Sequence, residues 1–278
     1  MQAIAQEMNF SETTFVLPAE RADTDVRMRI FTPGNELPMA GHPTIGSTFA
    51  LARAGVITEG RDRFVFGLNV GPVPVALTWR GPDLSFAWMT QPIPTFADPV
   101  DDRAAVAAAL SLPLTALAGT LPAQVVSAGV PFLFVALATR ADVDAAVAVP
   151  GLLTPLLNAT GSGAHGIFLF SAEPAPADER RAKAEQHALP TVYSRMFAPE
   201  LGVIEDPATG IASGPLGCYL IRHKIVAPDA AGAMLSLQGV KMGRPSHVHI
   251  SIGLEHGSIS SVRVGGESVL AGEGLLYI

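Results

Sequence analysis

The chain has 278 residues, enough for one large domain or two of ordinary size, and its 49% hydrophobic and 15% charged residues are the balance of a folded globular protein. A formal charge of −7 gives no field to draw in a polyanion, which argues against nucleic-acid binding. The single cysteine, Cys218, excludes an internal disulfide and any mechanism needing two protein thiols, and no apolar run approaches the ~20 residues of a membrane span.

The first residues, MQAIAQEMNFSE, lack the basic start and apolar middle of a signal peptide, which predicts a cytoplasmic protein. Met1, Ile4, Ala5 and Met8 share one helical face, and Asn9 is a plausible stop. TTFVL reads as a strand, and VRMRIFTP as a half-buried strand ended by Pro33. In ELPMAGHPTIGSTFALARAGVI, Pro43 suits the first helical position and Gly55 the end, predicting a helix over 43–54. RFVFGLNVG, VPVALTWR and LSFAWMT follow as antiparallel strands between Gly-Pro turns. The Pro- and Asp-rich QPIPTFADPVDD marks a domain crossing near Pro94, so we expect one domain of residues 1–94 plus 266–278 and a second of 95–265.

Beyond the crossing, DDRAAVAAALSL reads as a helix, QVVSAGVPFLFVALAT as two strands, ADVDAAVA and GLLTPLLNA as helices, and GIFLFSA as a strand. AEPAPADERRAKAEQHALP has no apolar periodicity and reads as a solvated loop or short exposed helix. YSRMFAPELG is then a strand and DPATGIASGPLGCYLIRHK a helix starting at Pro207. MLSLQG, HVHISIG, SISSVRVGG and the terminal LLYI complete a last set of strands.

The chain also resembles itself. RIFTP (Arg29 to Pro33) matches RMFAP (Arg195 to Pro199), and each is followed by a short linker and then His-Pro-x-x-Gly (His42 to Gly46) or Asp-Pro-x-x-Gly (Asp206 to Gly210) opening an apolar helix. On this reading His42 and Asp206 occupy cap positions ahead of first-turn amides that have no intrahelical acceptor, an arrangement that binds anions. Gly46 and Gly210 would let ligand or backbone approach the same turn. A pseudo-twofold axis relating the halves would set both helix starts across one cleft, where a small carboxylate could sit.

NFSETTFVL, RIFTPGNELPMAGHPTIGSTFAL, EDPATGIASGPLGCYL and QGVKMGRPS resemble the PhzF-like phenazine-biosynthesis isomerases, which share the diaminopimelate epimerase fold, and these segments spread over nearly the whole chain. The resemblance implies an α/β fold of two pseudo-symmetric domains, each a sheet wrapped around a central helix. It further implies an active site between them, no cofactor, no metal, and a homodimer. Glu12 falls on the family's general acid/base, expected here as a buried carboxylate of raised pKa, with His42 and Asp206 as its catalytic partners. Gly41, Gly46, Thr209 and Gly210 are the expected substrate-binding residues. The implied reaction is a proton shift on a small carboxylate-bearing substrate; an epimerase of a small acid and an inactive ligand-binding homologue are the alternatives.

Two features depart from the family pattern. The strand and Gly-Asn-Pro turn that usually precede the first helix are not in the chain, and Ile211 stands where the family often has Ser. Three further signals have plainer readings. The Gly161–Gly166 match to G-x-G-x-x-G follows a helix and precedes a strand, the reverse of a dinucleotide site. His247 and His249 share a strand face without an evident third metal ligand, and Cys218 reads as a small core residue. Arg244 could reach an anionic substrate or fix its turn.

Overall fold

The computed structural model describes residues 1–174 and 189–277. Most of the segment expected to be a solvated loop lies outside them. Helix α1 (Gln2–Met8) stops at Asn9, which takes the left-handed conformation at φ 51°. Then come β1 (Thr13–Pro18), β2 (Val26–Phe31), β3 (Glu36–Leu37), α2 (His42–Arg53), β4 (Arg63–Leu68), β5 (Gly71–Arg80), β6 (Asp83–Gln91) and β7 (Thr95–Val100). The second half runs α3 (Arg103–Ala109), β8 (Ala123–Ser127), β9 (Pro131–Ala136), α4 (Arg140–Ala145), α5 (Pro150–Ala159), β10 (Ile167–Ser171), β11 (Thr191–Ala198), β12 (Val203–Asp206), α6 (Gly210–Arg222), β13 (Met234–Gln238), β14 (Ser246–Glu255) and β15 (Ser258–Gly266). No helix of the described residues is long and apolar enough to cross a membrane.

The described strands form one mixed sheet whose order exposes the repeat: β1-β2-β4-β5-β6-β15-β14-β13-β11-β10-β9-β8-β7, with β3 on β2 and β12 on β11. β2 pairs antiparallel with β1 and β3 and parallel with β4. β11 pairs antiparallel with β10 and β12 and parallel with β13. Each of these two parallel steps is a crossover through the helix that follows the short return strand, α2 in one half and α6 in the other. The halves meet where β6 pairs antiparallel with β15. Even the side chains repeat: Arg29 grips Glu36 through two bonds of 2.9 and 2.6 Å, and Arg195 grips Glu205 through two of 2.8 Å.

Strands β8 to β10 send alternate residues to opposite faces. Val125, Leu133, Val135, Ile167 and Leu169 pack with α3 and α5, whereas Val126, Phe132, Phe134, Phe168 and Phe170 pack with α6. Burial on both faces explains the unbroken apolar runs in this part of the sequence. Helix α6 is buried from Ala212 through Leu220 and is correspondingly apolar all round. Residues Met28, Ile30, Phe64, Phe66, Val75 and Met89 form the core beside α2, each large side chain contributing roughly 1.5–3 kcal/mol.

Two expectations need correction. The second repeated helix starts at Gly210, not Pro207. Gln238 accepts from the Thr209 amide and donates to the Asp206 carbonyl, tying residues 206–209 to the end of β13 instead of letting them coil into the helix. Terminal LLYI is not a strand over its described residues: nothing beyond Gly266 pairs, and Tyr277 is fully exposed.

Candidate active site

The two helix starts meet at two glycines. A methyl group on Gly41, the residue capping α2, would lie 2.6 Å from the Gly210 Cα and 2.6 Å from the Ile211 nitrogen. Only hydrogens on both residues permit this approach. The true structural partners are therefore Gly41 and Thr209, which cap the two helices, and the His-Pro-x-x-Gly and Asp-Pro-x-x-Gly motifs are about one turn out of register. His42 is the first helical residue rather than a cap, and Asp206 ends β12. Gly46 takes no part in the helix contact, since the nearest atom to a methyl placed there is Ser268 Oγ at 3.9 Å.

His42 crosses the junction. Its Nδ1 lies 2.6 Å from the Ala208 carbonyl, which can only accept, so Nδ1 carries a proton. Its Nε2 lies 2.9 Å from Glu12 Oε2, and Asp206 Oδ1 is 3.9 Å from Nδ1. Glu12 immediately precedes β1, whose Thr14 hydroxyl is 2.9 Å from that of Ser47 in the second turn of α2, and this contact holds Glu12 beside His42. The carboxylates are deeply buried, with side chains 9% and 4% exposed for Glu12 and Asp206 against 32% for His42. Glu12 Oε2 and Asp206 Oδ1 nevertheless lack a well-directed hydrogen bond. Glu12 Oε2 is paired with the His42 ring, so Asp206 Oδ1 is the buried acceptor of the cluster without a close partner. The three residues offer ligand-type atoms within 4.8 Å of one another, but Nδ1, the ring nitrogen nearer Asp206, already donates to Ala208.

The electrostatics divide the two acids. Burial pushes Glu12 up, but the His42 charge, with hydrogen bonds from His42 and Ser11, outweighs it and holds Glu12 below 4.5. The expected raised pKa is therefore found not on Glu12 but on Asp206, where burial and the Glu12 charge prevail over the attraction of His42. Burial opposes the charge on His42, yet Asp206 and Glu12 together raise it from 6.5 to about 9. Because the folded pKa lies above the unfolded one, this stabilisation is complete below pH 6.5 and lost as pH rises through about 9. Its size is on the order of 1–3 kcal/mol after allowing for solvent at the ring. Denaturant unfolding of wild type and H42Q between about pH 6 and pH 10 should show the steeper loss in wild type; parallel curves would refute it.

The cluster borders two cavities. A tight one of about 90 Å³ brings Glu12, His42 and Asp206 against an apolar wall that includes Met39, Phe132 and Ile211. A larger one of about 830 Å³ shares Glu12 and His42 and is lined by Gly46, Ser47 and Arg244. Gly41 and Gly210 border both. Thr209 borders the tight cavity, but its hydroxyl is engaged with Asp206 Oδ2 at 2.6 Å. Arg244 fixes its turn through its backbone, the amide bonding to Gly239 and the carbonyl accepting from Ser246, while its side chain is exposed. His249 stacks edge-on against Phe86 at 5.1 Å, an ordinary packing role. Cys218 is fully buried.

Sequence reasoning missed Gln91 and Gln238. Gln91, the last residue of β6, donates to the Gly210 carbonyl at 3.0 Å and so ties the first half to the start of α6. Gln238 holds the Asp206–Thr209 turn from 29 residues away. The QGVKMGRPS segment was part of the resemblance, but nothing local in it pointed to the glutamine.

The phenazine biosynthesis-like protein family (PhzC-PhzF) matches residues 1–274. A trans-2,3-dihydro-3-hydroxyanthranilate isomerase of Pseudomonas aeruginosa is 37% identical over an alignment covering 100% of this chain and 88% of the relative. The solved structure of a predicted epimerase from the same organism superposes with a TM-score of 0.77 at 29% identity, covering 100% of this chain and 88% of the other. A hydroxyproline epimerase from Agrobacterium vitis shares the fold alone, with a TM-score of 0.58 at 15% identity over 92% of this chain and 71% of the other. The duplicated strand-helix topology, the helix starts in contact and the whole-chain match agree: this chain is an isomerase of the PhzC-PhzF family, built on a two-domain epimerase-like fold.

Proposed function

We propose that the protein moves a proton along an allylic system of a small, cyclic, carboxylate-bearing substrate, without a cofactor, with Glu12 as the group that takes the proton and returns it. The observation that carries this reading is the pair of buried carboxylates on either side of His42, one held ionised and the other pushed towards its neutral form. Environments that drive two acids apart assign them different roles. Glu12 in its anionic form accepts a proton from a substrate carbon, and the electron pair spreads over the allylic system. His42 as a cation and Asp206 as a neutral acid stabilise the negative charge that passes from Glu12 to the substrate, so the total charge of cluster plus substrate is the same throughout. Glu12 then returns the proton to the far carbon, and substrate and product share one formula.

First-turn amides at His42 and Ile211 have no acceptor within their helices and suit a substrate carboxylate. The apolar side of the tight cavity suits a carbon ring. The test compound is trans-2,3-dihydro-3-hydroxyanthranilate, the substrate named for the relative from Pseudomonas aeruginosa. In deuterated water the protein should convert it to a double-bond isomer carrying deuterium at carbon. Unchanged compound, or inversion without movement of the double bond, would overturn the reading.

A further inference from the structure

We infer that Gln238 is a positioning residue that, through the Thr209 hydroxyl, commits one oxygen of Asp206 and leaves the other for the substrate; the inference rests on the reading of Asp206 as the neutral acid of the site. The hydrogen bonds determine the direction of every proton in the chain. The Thr209 amide donates to Gln238 Oε1 at 3.0 Å, and only an oxygen can accept there, so the Gln238 side chain has one allowed orientation. Its Nε2 then donates both protons, to the Asp206 carbonyl at 2.7 Å and to Thr209 Oγ1 at 2.8 Å. With its oxygen accepting from Gln238, the Thr209 hydroxyl turns its own proton to Asp206 Oδ2, 2.6 Å away.

Gln238, Thr209 and Asp206 are all buried, so water does not compete for these bonds. Asp206 Oδ1 remains without a hydrogen bond, 3.9 Å from His42 Nδ1, and Asp206 is one of the residues lining the tight cavity. The charged groups facing Asp206 are His42 from α2 and Glu12 from the segment before β1. The neighbouring Arg195–Glu205 pair is engaged elsewhere, Arg195 also donating to the carbonyls of Val143 and Ala146. Thr209 donates to the ionised form of Asp206 and therefore opposes the rise that burial produces. The relay keeps Asp206 from becoming too weak an acid while aiming its free oxygen.

The experiment titrates Asp206 directly by carbon-13 NMR of the full chain labelled at aspartate carboxyls, with the D206N spectrum giving the assignment, so it needs no turnover. In T209V and Q238L the Asp206 midpoint should rise by about one pH unit, and in T209S it should stay within about 0.3 of wild type. With the test substrate, T209V should lower kcat about tenfold with KM changed less than about twofold, and shift the pH profile with the NMR midpoint. An unmoved midpoint in T209V would overturn the inference, even if Q238L fails to fold, because valine preserves the shape of threonine. A wild-type protein that titrates as described but does not turn over would overturn the proposed reaction and leave the relay standing.

Discussion

Exchanging Glu12 for glutamine is expected to lower turnover by about 10²- to 10⁴-fold, the usual contribution of general acid/base catalysis, while ligand affinity stays within a few fold. Glutamine fills the same volume but can neither take nor return a proton. The fold should survive, because His42 can release its proton once the anion 2.9 Å from Nε2 is gone, and no unpaired charge then stays buried. Binding should survive because, on the proposed reading, the helix-start amides and not Glu12 hold the substrate carboxylate. Steady-state kinetics on trans-2,3-dihydro-3-hydroxyanthranilate, with affinity from the thermal shift of wild type and E12Q, measure both quantities. The loss should appear in kcat rather than KM. Turnover retained in E12Q would remove Glu12 from the proton path and move that role to Asp206, the other buried carboxylate of the cluster.

Much of the fold was legible because hydrophobic period and turn residues agree along most of the chain. The self-match of RIFTP and RMFAP located the two equivalent strands, and their return strands, parallel partners and Arg–Glu clasps follow in the same order. The register of the helix motifs was misread by a turn because the match rested on Pro and Gly, which serve different purposes in the two copies. Pro43 lies inside the first turn of α2, whereas Pro207 lies in a turn held by a glutamine far along the chain. Spatial control of that kind leaves no local signal. Glu12 is similar: a charged residue before a strand reads as exposed, and only the family resemblance selected it. Its lowered pKa and the raised one of Asp206 depend on how burial, the neighbouring charges and the hydrogen bonds from His42 and Ser11 balance at each acid, which no spacing encodes.

The corrected register gives a prediction that separates the two glycines. Gly41→Ala should destabilise the protein by about 1–3 kcal/mol, the cost of forcing a methyl into a packed interior. The new carbon would lie 2.6 Å from the Gly210 Cα and 2.7 Å from its carbonyl carbon, and backbone cannot swing aside as a flexible side chain can. Relief requires the two helix starts to separate, which would pull His42 from the Ala208 carbonyl and from Asp206. A displacement of about 1 Å among catalytic groups can cost roughly 10²-fold in rate, so G41A should lose activity well beyond its loss of stability. Gly46→Ala is the contrast. That position lies inside α2 and meets nothing nearer than 3.9 Å, so exchanging glycine for alanine should stabilise the helix by about 0.5–1 kcal/mol. Denaturant midpoints and turnover for the two variants decide the matter: equal effects, or a harmless G41A, would show that the helix starts do not depend on the Gly41–Gly210 contact.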